Sequence, residues 1–128
     1  MSSSEAPTVL IVEDDMNLRV VCEMTLVSGG YNFHSVDGTL QAIACLNEGQ
    51  SFDLILTDFK IPGQIDGQTF INEVRLMGIH TPAIITSGYE FDDSSLPNGT
   101  CFLAKPYTLR SLLDLVKDCL NKNGDDVG

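Results

Sequence analysis

Apolar residues occur along the chain as short unbroken runs, separated by stretches in which they recur every three or four positions. Thr8–Val12 (TVLIV), Leu54–Leu56 and Pro82–Thr86 (PAIIT) are β-branched or aliphatic runs of strand length, and they predict strands buried on both faces. Tyr31–Val36 is more polar and alternates, which suits a strand nearer a sheet edge, and Cys101–Ala104 is a short fifth strand. Between these runs the period changes. Met16–Val27 carries Leu18, Val21, Cys22 and Thr25 at helical spacing and stops at Ser28-Gly29-Gly30. Thr39–Glu48 is a second helix, with Ile43 and Leu46 inward and Gly49 as its stop. Gln68–Met77 is a third, with Phe70, Val74 and Met77 as its buried stripe and Gly78 closing it. A last helix follows Thr108, a capping residue, with Leu109, Leu112, Leu113, Val116 and Leu120 at helical spacing. Tyr89–Thr100 (YEFDDSSLPNGT) holds too much charge, Ser, Pro and Gly for more than about one helical turn.

The order is strand–helix five times, with a short or missing fourth helix. Such alternation predicts an α/β fold: a doubly wound parallel sheet, helices on both faces, right-handed crossovers. At 128 residues the chain suits one domain, here residues 8–121, with flexible tails at 1–7 and 122–128. Hydrophobic residues make up 43% of it, enough for a packed core.

Charge narrows the function classes. Seven basic residues against 18 acidic ones give a formal charge of −11, which argues against nucleic acid or an anionic membrane as a partner. No run reaches the ~18 apolar residues of a membrane span. MSSSEAP lacks the basic and apolar segments of a signal peptide, so a cytoplasmic location is expected. Cys22, Cys45, Cys101 and Cys119 are scattered, without metal-ligand spacing, and read as buried or half-buried thiols. His34 reads as part of a strand and His80 as part of a loop, neither with a catalytic role.

The candidate chemistry lies at the strand ends. In an open α/β sheet the carboxyl ends of the strands line one edge, where ligands bind. That edge would gather Glu13 and Asp14 after the first strand, Asp58 after the third, Ser87 after the fourth and Lys105 after the fifth. Each residue also has an ordinary use. Asp58 can start a loop or cap a helix, the acids can be solvated, and Asp15 can cap the helix it precedes. Together they suit phosphoryl transfer to a carboxylate. Asp58 is the nucleophile, and Mg²⁺ on Asp14 and Asp58, Lys105 and the Ser87 hydroxyl neutralise the phosphoryl oxygens.

The motifs VLIVEDD, LILTDFKIPG with Asp66-Gly67 downstream, PAIITSG and FLAKPY, in this order, resemble a response-regulator receiver domain of two-component phosphorelays. The resemblance covers about residues 8–121. It implies a flavodoxin-like fold with strand order 2-1-3-4-5. It also implies Asp58 as phosphoacceptor, Asp14 as direct Mg²⁺ ligand, Glu13 acting through water, and the Lys60 carbonyl as third ligand. Ser87 and Lys105 would be the phosphate-binding pair, Lys105-Pro106 a cis bond, and Phe102 the aromatic switch position. A histidine kinase or histidine phosphotransfer protein would be the donor, with an unnamed protein as downstream target.

Three departures qualify this. The segment from Ser87 to Lys105 is short, Phe102 replaces a Tyr, and PGQIDG carries one extra residue. Tyr89, in SGY, is a second candidate for switching. The expected role is a switch rather than a turnover enzyme, in a stand-alone single-domain regulator. The alternatives are a receiver from a hybrid kinase, or a receiver-like module that binds without phosphorylation. An aspartyl phosphatase fits less well, because Lys60 stands where a second acid would be needed and no segment is long enough for a cap.

Overall fold

The computed structural model describes residues 6–88 and 96–125, the side chains as far as Asn121. Five strands, β1 (Thr8–Val12), β2 (Asn32–Val36), β3 (Leu54–Asp58), β4 (Ala83–Ser87) and β5 (Thr100–Ala104), form one sheet in the order β2-β1-β3-β4-β5. All neighbouring pairs are parallel. The described helices are α1 (Met16–Ser28), α2 (Thr39–Asn47), α3 (Gly67–Leu76) and α4 (Leu109–Asp125). The fold is flavodoxin-like, with the strand order expected.

Side chains alternate across a strand, so each central strand feeds two cores. Leu10, Val12, Ile55, Ala83 and Ile85 pack with Ala42 and Leu46 of α2 and with Phe70, Ile71 and Val74 of α3. Val9, Ile11, Leu54, Leu56 and Ile84 pack with Cys22 and Leu26 of α1 and with Leu112, Val116 and Cys119 of α4. This two-sided burial is why β1, β3 and β4 are nearly all apolar. The outer strands β2 and β5 are mostly half-buried, as expected for edges.

Helix faces differ from the expected stripes in identifiable ways. In α1, Leu18 and Val21 are about half exposed, while Cys22, Thr25 and Leu26 are buried. The helix is apolar nearly all round, since Met16, Val20, Met24 and Val27 are also exposed, so periodicity alone does not select its inner face. In α3 Ile71 joins Phe70 and Val74 inside, and Met77 is the half-buried C-cap. In α4 Leu109 is exposed, and Cys119 completes the buried stripe.

The ends also move. Asn32 donates to the Pro7 carbonyl, so the N-terminal segment is held to the sheet from there, and the last helix runs on to Asp125 instead of giving way to a tail at 122. Residues 89–95 lie outside the described residues. The expectation of a short or missing fourth helix falls largely there, as does the switch reading of Tyr89.

Candidate phosphoacceptor site

The carboxyl ends of β1, β3, β4 and β5 bring together the residues expected there. Asp58 is the last residue of β3, opposite Thr86 in β4, and Ser87 stands opposite Ala104. Lys105 follows β5 directly. Its backbone N–H donates to the Ser87 carbonyl at 2.8 Å, and the Lys105–Pro106 peptide is cis. The Lys105 ammonium donates to Asp58 Oδ2 at 3.0 Å and lies 3.7 Å from Glu13 Oε1. Glu13, Asp14 and Asp58 each place a carboxylate oxygen within 4.8 Å of the others.

Local structure explains why these side chains stay in place. Glu13 is 5% exposed. Its Oε2 accepts from the Asp15 N–H at 3.1 Å, and its carbonyl accepts from Arg19 Nη1 at 2.9 Å. Asp15 caps α1, accepting from the Leu18 N–H at 3.0 Å, which accounts for the third acid of the run. Asp14 is exposed, Asp58 half-buried. Asp66 caps α3 through the Thr69 N–H at 2.7 Å and sets that helix against the end of β3. The approach is close enough to require glycine: a Cβ on Gly67 would stand 2.5 Å from the Asp58 carbonyl oxygen.

Electrostatics reflect three acids against one base. Burial pushes the Glu13 carboxyl up to about 7, helped by the nearby Asp58 charge and opposed by the Asp15 N–H and by Lys105. Burial works against the Lys105 charge as well, but the hydrogen bond and attraction of Asp58, with Glu13 behind it, outweigh it and hold the ammonium above its ordinary range. Such an excess of hard oxygen donors suits a divalent cation such as Mg²⁺. Asp14 and Asp58 would hold it directly, with Glu13 and the Lys60 carbonyl completing the protein's share. Lys60 lies in the exposed loop two residues past Asp58.

Ser87, 3% exposed, ends its strand on this edge, and Phe102 is half-buried in β5 opposite Ile85. His34 lies in β2 and His80 between α3 and β4, both away from this edge.

A family profile described as "Response regulator receiver domain" matches residues 9–117. The chain belongs to that family. It is 34% identical over 115 residues to the response regulator protein FleR of Pseudomonas aeruginosa, covering 87% of this chain and 24% of that protein. It is 33% identical over 124 residues to the sensor kinase CckA of Brucella abortus, covering 93% of this chain and 13% of that one. The chain thus spans only a fraction of the length of these curated relatives. A response regulator receiver protein from Sinorhizobium medicae superposes with a TM-score of 0.83 at 27% identity, covering 92% of this chain and 97% of that one. The receiver domain of a hybrid histidine kinase CckA does so at 0.75 and 31%, covering 88% and 98%.

Two contacts around this receiver's site were not anticipated from the sequence. The first is made by Gln64, in the PGQIDG loop. Helix α2 begins at Gly38, which has no capping side chain, and the Gln64 amide supplies one: its Oε1 accepts from the Leu40 N–H at 2.9 Å and from Thr39 Oγ1 at 3.2 Å. A Cβ on Gly38 would run into that amide. The loop beside Asp58 is thereby fastened to α2. The second is made by Tyr107, next after Pro106. Its hydroxyl meets Cys22 Sγ at 3.2 Å and ties the Lys105 loop to α1. Burial raises both the Tyr107 phenol and the Cys22 thiol above their ordinary ranges. The only cue was an aromatic after Lys-Pro facing an apolar helix.

Proposed function

We propose that this receiver is a Mg²⁺-dependent phosphoacceptor, in which Asp58 takes a phosphoryl group from a phosphohistidine. The observation that carries the reading is the Lys105 ammonium 3.0 Å from Asp58 Oδ2, at the edge shared with the Glu13 and Asp14 carboxylates. A carboxylate oxygen of Asp58 attacks phosphorus, the N–P bond breaks, and its electron pair returns to the imidazole of the donor. The product is an acyl phosphate. Charge on the phosphoryl oxygens must be offset, and a bound Mg²⁺ supplies part of that. Lys105, already beside Asp58, turns from the carboxylate to a phosphoryl oxygen. The Ser87 hydroxyl and the Gly88 N–H donate to another.

The donor is a histidine kinase or a histidine phosphotransfer protein, in keeping with a cytoplasmic location. A cavity of about 480 Å³ beside Lys105, lined by Leu18, Val21, Gly88, Pro106 and Tyr107, offers it an apolar seat next to the nucleophile. Leu18 and Val21, turned outward in α1, belong to that surface. Once Asp58 is modified, the pull on Lys105 and Ser87 alters β4 and β5, with Phe102 and Tyr89 as the aromatics that respond. The changed surface is read by a downstream protein rather than by nucleic acid or a membrane, given the charge of −11. The relatives include a response regulator and a sensor kinase, and phosphorylation of Asp58 serves either setting. The phosphorylated Asp58 is itself the output, not an intermediate on the way to a released product, so the domain acts as a switch and not as a turnover enzyme.

Transfer from a phosphotransfer domain carrying radiolabelled phosphohistidine tests this. Wild type is expected to take the label with Mg²⁺ present and Asp58→Asn to remain unlabelled. Equal labelling of the variant would place the acceptor elsewhere, and no labelling of wild type by any phosphohistidine donor would leave a module that binds without phosphorylation.

A further inference from the structure

Cys101 and Cys119 are far apart in the chain and adjacent in the fold. Cys101 is the second residue of β5 and faces the α1/α4 side of the sheet with Leu103. Cys119 lies one turn beyond Val116 on the buried stripe of α4. The Cys119 thiol donates to Cys101 Sγ at 3.5 Å, and neither is in a disulfide. The other two cysteines have different neighbours: Cys22 meets the Tyr107 hydroxyl, and Cys45 meets His34 Nε2 at 3.7 Å.

We propose that Cys101 and Cys119 are an oxidation site that closes to an intramolecular disulfide when the protein meets a hydroperoxide. A disulfide needs its sulfurs ~2.05 Å apart, so closure asks for a shift of roughly 1.5 Å, within reach of a change in side-chain torsion. Exposure assigns the roles. Cys101 is half-buried and open to a small oxidant, whereas Cys119 is 5% exposed. The Cys101 thiolate attacks a peroxide oxygen, the O–O bond breaks, and hydroxide (or alkoxide) leaves to give a sulfenic acid. Cys119 sulfur then attacks that sulfur and water leaves. Two thiols lose two protons and two electrons. Hydrogen peroxide, taking them up, becomes two waters.

The bond would join the edge strand β5 to the C-terminal half of the last helix. It leaves the carboxylate cluster chemically untouched, because Cys101 lies at the far end of β5 from Lys105. It would restrict the seam between β5 and α4.

The test uses the full chain treated with a small excess of hydrogen peroxide, quenched by alkylation and digested without reductant. The expected result is an intact mass about 2 Da lower before alkylation, two of the four thiols alkylated afterwards, and one linked peptide pair containing Cys101 and Cys119. The Cys22→Ala, Cys45→Ala double variant should lose the same mass, and Cys101→Ser should not. Wild type that shows only sulfinic acid, intermolecular dimers or a bond involving Cys22 or Cys45 would overturn the proposal. So would the same 2 Da loss in Cys101→Ser. The peptide map of wild type decides the matter even if a variant fails to fold.

Discussion

Glu13 is where burial and charge conflict most sharply. Its carboxyl is pushed up to about 7 against an ordinary 4.5, so without a metal the folded protein prefers it protonated. The sign follows from linkage. Stability from that protonation is fully present below pH 4.5 and is lost as the pH rises through about 7. Glu13→Gln, neutral at every pH, should therefore raise the melting temperature of the metal-free protein at pH 8, by a few degrees, and change it little at pH 5. A variant less stable than wild type at pH 8 in chelator would show that the contact with Lys105 outweighs desolvation. Lys105 is the counterpart. Lys105→Ala should still allow Asp58 to gain a phosphoryl group, but the resulting NMR shifts of β4 and β5 amides should shrink. Shifts equal to those of wild type would remove Lys105 from the coupling.

Among the elements, α2 and α3 show how the site is braced. Gln64 caps a helix to which it does not belong, so Gln64→Ala leaves the start of α2 without its acceptor. A loss of about 1 kcal/mol is expected, the usual cost of a missing N-cap, measured as a lower denaturant midpoint with unchanged slope. An unchanged midpoint would mean that water replaces the amide without cost. The same elements show what a sequence can and cannot convey. β1, β3 and β4 were legible because two-sided burial leaves an unbroken apolar run. Asp15, whose position marks a helix start, and Thr108 were legible as caps. The inner face of α1 was only half legible: Cys22 and Thr25 are buried as expected and Leu18 and Val21 are not, since Val20, Met24 and Val27 make the helix apolar nearly all round. Nor was the reach of Gln64, because a cap borrowed from another loop has no local spacing. The gathering of Glu13, Asp14, Asp58 and Lys105 was legible for a different reason: parallel topology alone carries every strand end to one edge, so position along the chain determined the company of Asp58.

For the molecule as a whole, the central strands hold the edge rigid by filling both cores. Phe70 is fully buried among Leu10, Val12, Ile55 and their neighbours. Phe70→Ala should cost about 3–5 kcal/mol in chemical denaturation and reduce phosphorylation only through the folded fraction. A cost under about 1 kcal/mol would imply that the α2/α3 side collapses around the gap. The other property at this scale is a net charge of −11, with three of the acids packed at the site. An isolated dianionic donor is repelled by that surface, so phosphorylation should depend steeply on the divalent cation. The most direct test is the intact mass of wild type after incubation with a small acyl-phosphate donor, with Mg²⁺ and with chelator, beside Asp58→Asn. A gain of one phosphoryl group that needs Mg²⁺ and is absent from the variant is the predicted result. The same gain in chelator, or in Asp58→Asn, would contradict the account.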